Sequence, residues 1–246
     1  QTEAALTGCY MPMASIYTAD FMLMVEACTD LWYSGSSTKD AILEVTPAKP
    51  QMGANVWRNG YLGVNRCNEV IDCLERSTFK DSERLPLQAE ARVLRAMYYY
   101  LLTCTFNGVP FYTNRTVTDA DLEVIRNLGR TPANEIREAM YADIRDNALP
   151  YFTESNGLKA RPSDIAGNRA GYALGLMLMA KMALWNEDWE AALAPLKELE
   201  ALYGDLTEEN YPLEDIMWRY KNTPESILEI QHSWSRTGMQ YGGNVA

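Results

Sequence analysis

The sequence predicts an all-α protein, mainly helical, with long loops and little strand. Three observations carry that prediction. Apolar residues recur at three- and four-residue steps through most of the 246 residues, the repeat of helices buried along one stripe. Only one stretch, Ser226 to Gln231, alternates as a short strand would. The longest periodic run, Leu87 to Pro110, carries its own stop signals, since Gly108 ends the helix and Pro110 forbids its return. In that run Leu87, Ala91, Leu94, Tyr98 and Leu101 form the buried stripe, and Pro86 stands at or just before the first turn. Arg92 and Arg95 flank the stripe; their stems pack while their heads reach water or nearby carboxylates.

The first segment, Thr2 to Thr29, is helical, with Leu6, Tyr10, Met13 and Tyr17 on its apolar face. Pro12 kinks it or marks a second start. A long aromatic-bearing loop from Leu31 to Asn55 follows, and ordered loops of that length are often functional. Helix two runs from Val56 to Leu74, where Gly60 and Gly63 allow another helix to approach closely. Phe111 to Arg130 reads mostly as loop, with Thr118-x-x-Asp121 inside an acidic cluster. A further helix from Pro132 to Phe152 carries Ile136, Met140, Ile144 and Leu149 on one face. After a polar linker, two helices flank the turn Asn186-Glu187-Asp188. Ala173, Met177, Ala180 and Leu184 line the first; Trp189, Ala192, Leu196 and Leu199 face back from the second. Small residues at a helix crossing, then a tight turn with an acid and an aromatic, resemble a tetratricopeptide-type hairpin. Pro195 departs from that pattern and should bend the second helix. Val56–Leu74 with Leu87–Phe106 makes a second, degenerate hairpin.

A net charge of −11 argues against nucleic acid and anionic membrane surfaces as partners. No apolar run is long enough to span a membrane. Of five cysteines, at least one is unpaired, and buried free thiols are expected, with one bridge between helices still open. His232 is the only histidine, which removes most nucleophile–base–acid arrangements and most zinc sites. Phosphate loops, dinucleotide fingerprints and GxSxG are missing, and no carboxylate pair stands above background as a glycosidase site. Asp119, Asp121 and Glu123 are a calcium candidate, but without the glycine turn and distal glutamate of a known loop. We therefore expect no enzyme, no cofactor and no metal. What remains is aromatics near loops: Trp32, Tyr33, Trp57, Trp218, Tyr220, Trp234 and Tyr241. Flat rings stack on the apolar faces of sugars while Asp, Asn, Arg and Lys bond the hydroxyls.

Several blocks, in order, resemble the SusD-like (SusD/RagB) family. They are Thr29-Asp30; Asn65-Arg66-Cys67-Asn68-Glu69; Glu90-Ala91-Arg92-x-x-Arg95-Ala96-x-x-Tyr99 with Gly108-Val109-Pro110; and Arg169-Ala170 with the Ala/Leu/Met run into Ala180-Lys181. The resemblance implies non-catalytic capture of an oligosaccharide for a SusC-like TonB-dependent outer-membrane transporter. It also implies a surface-exposed outer-membrane lipoprotein, held through an N-terminal lipid anchor absent from this chain. On that basis residues 1–246 are expected to form a single SusD-like helical domain lacking the C-terminal part of the family fold. Ligand contacts in the family follow position, not a fixed motif. By position, the loop after the first helix and the start of the second bring Asp30, Trp32, Trp57 and Asn59 nearest the glycan. The competing reading is a tetratricopeptide-like protein-interaction scaffold.

Overall fold

The computed structural model describes residues 2–18, 21, 24–25, 51–160, 169–213 and 223–230. In chain order it holds α1 (Thr2–Ile16), α2 (Gln51–Glu75), α3 (Asp81–Phe106), α4 (Asp119–Arg126), α5 (Ala133–Asn147), a single 3₁₀ turn (Leu149–Tyr151), α6 (Tyr172–Trp185) and α7 (Trp189–Tyr203). No strand occurs among the described residues; the backbone pairs only at an isolated antiparallel bridge, Val109 with Thr131. The mainly helical fold is as the periodicity predicts.

The fold is built around α3, which packs against α1, α2, α5 and α6. The expected stripe is buried, with Ala91, Leu94 and Tyr98 fully enclosed, but Val93, Ala96, Tyr99 and Leu102 on other faces are enclosed too. α3 is a central rod, not an amphipathic surface helix. α2 lies close against it because its glycines leave room. A Cβ on Gly60 would sit 2.9 Å from Leu102, and one on Gly63 would sit 2.3 Å from the Tyr98 ring. The α6–α7 hairpin forms the other end, reached through α5. Asp188 caps α7 by accepting from the Ala191 N–H at 3.0 Å. Arg137 on α5 donates to the Asn186 side chain at 3.0 Å, fastening the turn to the rest of the bundle.

Several boundaries differ from expectation, each for a local reason. α1 closes at Ile16, where Tyr17 and Thr18 turn, so the helix passes through Pro12 but does not continue unbroken to Thr29. α2 begins at Gln51, taking in residues assigned to the preceding loop. α3 begins at Asp81, six residues early, and contains Pro86. Asp81 and Glu83 favour a helix start electrostatically, and the one backbone bond that Pro86 forgoes lies in a solvent-accessible turn. α3 ends at Phe106, two residues before Gly108, because the cap residue Asn107 adopts φ +61. Gly108 is needed instead for close approach: its Cβ would meet the Thr131 carbonyl at 2.8 Å.

In the segment read as loop, Thr118 and Asp121 form a capping box that starts α4. Among the described residues no three acids converge as a metal-holding group there, and Asp121 instead accepts from the Val117 and Thr118 N–H groups at 3.0 and 2.8 Å. Those bonds hold its carboxyl below the usual range. On α7 the buried residues are Ala192, Pro195 and Leu199, whereas Trp189 is 67% exposed and Leu196 38%, so Ala192 and Leu199 face inward as expected and Trp189 and Leu196 do not. The alternating stretch is not a strand. Through residue 230 it has no ladder partner among the described residues, and Ile227, Leu228 and Ile230 lie partly buried on the core. Cys9 and Cys67 are buried free thiols, Cys73 is exposed and Cys104 half-buried; Cys28 lies outside the described residues.

Candidate functional site

The chain leaving α3 runs along α2 as a strap, and the contacts between them keep register. The Tyr61 hydroxyl donates to the Pro110 carbonyl at 2.8 Å, and the Tyr112 hydroxyl donates to Asn65 Oδ1 at 3.0 Å. The Asn68 amide donates to the Asn114 carbonyl at 3.2 Å, and Arg115 reaches Asp72 at 3.3 Å. Eleven helical residues at about 1.5 Å each match five extended residues at about 3.3 Å each. The strap is anchored from beneath. The Tyr99 hydroxyl donates to the Tyr112 carbonyl at 2.6 Å and accepts from the Tyr112 N–H at 3.0 Å. Arg95 donates to the Thr113 carbonyl at 3.2 Å and to Asn68 Oδ1 at 2.8 Å. Its charge is met by Asp143 at 2.6 Å, which also holds Arg92 at 2.6 Å. The heads of both arginines thus meet a carboxylate, as expected of one of their two options.

One end of this strap is aromatic. Trp57, Tyr61 and Asn65 follow at four-residue steps on one face of α2. The Trp57 ring meets Tyr61 and Phe106 edge-on at 5.0 and 5.1 Å, and Tyr61 stacks on Tyr112 at 6.0 Å with only 5° between planes. All these rings are half-buried. Burial pushes the Tyr112 phenol up to about 12, and burial followed by the Tyr112 neighbour pushes Tyr61 up as well. A phenol that ionises later when folded contributes stability that is complete below its ordinary value of about 10 and lost as pH rises through about 12. An alkaline titration followed by phenolate absorbance should therefore show a step near pH 12, shared with Tyr17 and Tyr172, whose amplitude Tyr112→Phe lowers by one phenol. A Tyr112 step near 10 would contradict the burial.

The other end is polar: a cleft of about 620 Å³ between the second half of α2 and residues 113–117.

Of the four expected site residues, Trp57 belongs to the aromatic strip. Asn59 lies two residues on, about 200° around the helix, and its amide donates to the Asn55 carbonyl at 3.2 Å. Asn55 in turn donates to the Ser15 carbonyl at 2.9 Å, so this pair faces α1 and is not beside Trp57. Asp30 and Trp32 lie outside the described residues, as do Tyr33, Trp218, Tyr220, His232, Trp234 and Tyr241. Tyr61 and Tyr112 are not singled out by the sequence, and Asn65 enters there only within the family-like block, not as a ligand contact. The four-residue spacing from Trp57 could have found Tyr61 and Asn65; nothing local marks Tyr112.

The fold and this face define a class: an all-α scaffold presenting an aromatic strip and a polar cleft along one helix. A family model described as starch-binding and associating with the outer membrane matches residues 7–173. The chain belongs to the SusD-like family. A curated SusD-like protein of Formosa agariphila is 23% identical over 164 residues, covering 66% of this chain and 29% of its own. Among solved structures, a laminarin-binding SusD-like protein superposes with TM-score 0.73 at 22% identity, covering 94% of this chain and 51% of its own. The surface glycan-binding protein A of Bacteroides thetaiotaomicron, in complex with laminarihexaose, gives 0.68 at 22% identity, with 94% and 48% covered. At these identities the structural likeness speaks for the fold. The chain spans about half the length of these solved relatives and less than a third of the curated one.

Proposed function

We propose that this chain binds an oligosaccharide at the cell surface without cleaving it and delivers it to a SusC-like TonB-dependent outer-membrane transporter. The observation that carries the reading is the half-buried strip of Trp57, Tyr61 and Tyr112. Such rings offer apolar faces to sugars while remaining supported from behind. Family membership supports a glycan as the ligand class and the outer membrane as the location. Attachment through a lipidated cysteine and the transporter partner belong to the same proposal, as does a single helical domain over residues 1–246.

Calorimetry against a panel including maltohexaose and laminarihexaose, with product analysis of each mixture, tests the proposal. We expect binding and unchanged sugars. Any released product would overturn the non-catalytic part, and a lone lipoprotein after gentle detergent extraction of the native membrane would overturn the pairing. Trp57→Ala should weaken glycan binding by about 2 kcal/mol, the scale of a truncated aromatic hot spot. Because the ring is only half-buried, stability should fall by less than the ~3–5 kcal/mol of a fully buried aromatic. A loss of stability with unaltered affinity would assign Trp57 to packing alone.

The scaffold reading keeps one observation of its own. Trp185, Trp189, Leu193 and Leu206 are all at least half exposed at the α6–α7 end. If the panel shows no glycan binding, that end is where a protein partner should be sought.

A further inference from the structure

The aromatic strip does not stop at Asn65. Asn68, Asp72 and Glu75 continue the same face of α2, within about 100° of Trp57 and Tyr61 around the axis. They line the cleft together with Arg92, Asn114 and Arg115. At about 620 Å³ the cleft lies within the range of small-ligand sites. Its floor is rigid, since Asn68 is 1% exposed and held on both sides, by Arg95 and by the Asn114 carbonyl.

The charges around the cleft are neutralised in place. Asp72 pairs with Arg76 and Arg115; Glu75 accepts from Gln88 at 2.9 Å and faces Arg84 at 3.5 Å; Arg92 is held by Asp143. No strong field of either sign remains to select an ion. What remains is a mixture of donors and acceptors with unused capacity. Arg115 reaches Asp72 and Glu69 only at 3.3 and 3.5 Å, longer than the roughly 2.7–2.9 Å of a tight charged pair. The Asn114 side-chain amide has no partner among the described residues. A group that donates and accepts at once, without charge, fits such a lining, and the sugar hydroxyl is that group.

We propose that this cleft is a second carbohydrate subsite, continuous with the aromatic strip, that takes the hydroxyl edges of uncharged sugar residues through Arg115 and Asn114. The inference rests on the oligosaccharide reading and extends it. From Trp57 to Asp72 the helix advances about 22 Å, so one ligand must be several sugars long to occupy both ends. Short sugars occupy only the aromatic end.

The test compares the wild-type chain with Arg115→Met, Asn114→Ala and Trp57→Ala by calorimetry. The probes are maltohexaose, laminarihexaose and their disaccharides, at low and high NaCl. Arg115→Met keeps the packed stem and removes the fork, and its thermal midpoint is measured alongside. We expect Arg115→Met and Asn114→Ala each to weaken a bound hexasaccharide about tenfold with disaccharide binding and midpoint unchanged. Trp57→Ala should weaken both lengths. Hexasaccharide binding that depends on Trp57 but not on Arg115 or Asn114 would overturn the second subsite and leave the proposed function standing. Affinity that collapses with added salt would overturn the uncharged ligand. No binding of either hexasaccharide to the wild-type chain would overturn both readings together.

Discussion

Asp143→Ala should cost about 3–5 kcal/mol of folding stability, the scale of breaking a buried ion pair by removing one partner. The Asp143 side chain is 11% exposed and is, among the described residues, the only carboxylate that meets Arg95, whose side chain is 4% exposed. It also holds Arg92 and accepts from Asn147 at 3.1 Å. Without it, Arg95 retains Asn68 and the Thr113 carbonyl as hydrogen-bond partners but has no counter-charge. Arg95 also anchors the strap, so the loss should appear locally as well. Proteolysis near residues 113–117 should accelerate in Asp143→Ala under conditions where the bundle remains folded. Denaturant titration gives the global figure, and a change below about 1 kcal/mol would mean that Arg95 reaches solvent. The double variant Arg95→Met with Asp143→Leu should recover much of the loss, because removing both charges together leaves neither one stranded.

Gly63→Ala should be the most damaging small substitution on α2. On propensity alone, alanine would gain about 1 kcal/mol inside a helix. Here its Cβ would lie 2.3 Å from two Tyr98 ring carbons and 2.5 Å from a third. The ring is fully buried, and its hydroxyl donates to the Cys9 carbonyl on α1, so it cannot swing aside without breaking that bond. α2 and α3 must therefore separate, and overpacking of this kind costs about 1–3 kcal/mol or more. We expect a net loss of about 2 kcal/mol from thermal or denaturant unfolding. Gly8→Ala is the control of opposite sign. Nothing lies within 4 Å of its Cβ on α1, so it should stabilise by several tenths of a kcal/mol. Equal effects at the two positions would show that helix propensity, not contact with Tyr98, decides both.

Much of the fold was legible because its signals are local. The α3 periodicity, the turn at Asn186–Asp188 and the room left by Gly60 and Gly63 are each readable within a few residues, and the structure has each of them. Local reading also overreached. Alternation at 226–231 suggested a strand, yet a strand exists only with a neighbour to bond, and sequence spacing cannot supply one. On α7 the inward positions Ala192 and Leu199 were read correctly, whereas Trp189 and Leu196 were misplaced, because Pro195 takes the buried position between Ala192 and Leu199.

The candidate site divides in the same way. The sequence by itself determined that α2 begins with an aromatic residue beside a long loop, and that Arg92 and Arg95 stand one helical step apart. It also determined that the run from α3 must leave its helix at Gly108–Pro110. Only the tertiary structure decided where that run goes. It lies along α2, stacks Tyr112 on Tyr61, and brings Arg115 to Asp72 across 43 residues of chain. It also turned Asn59 toward α1 and brought Asp143 under both arginines, 48 residues from the nearer of them. Helix periods and caps are short-range, set by hydrogen bonds and side chains a few residues apart. Which carboxylate meets which guanidinium, and which two rings share a face, depends on how whole helices pack. That is settled by the volume of side chains such as Tyr98 and by the glycines that make room for them.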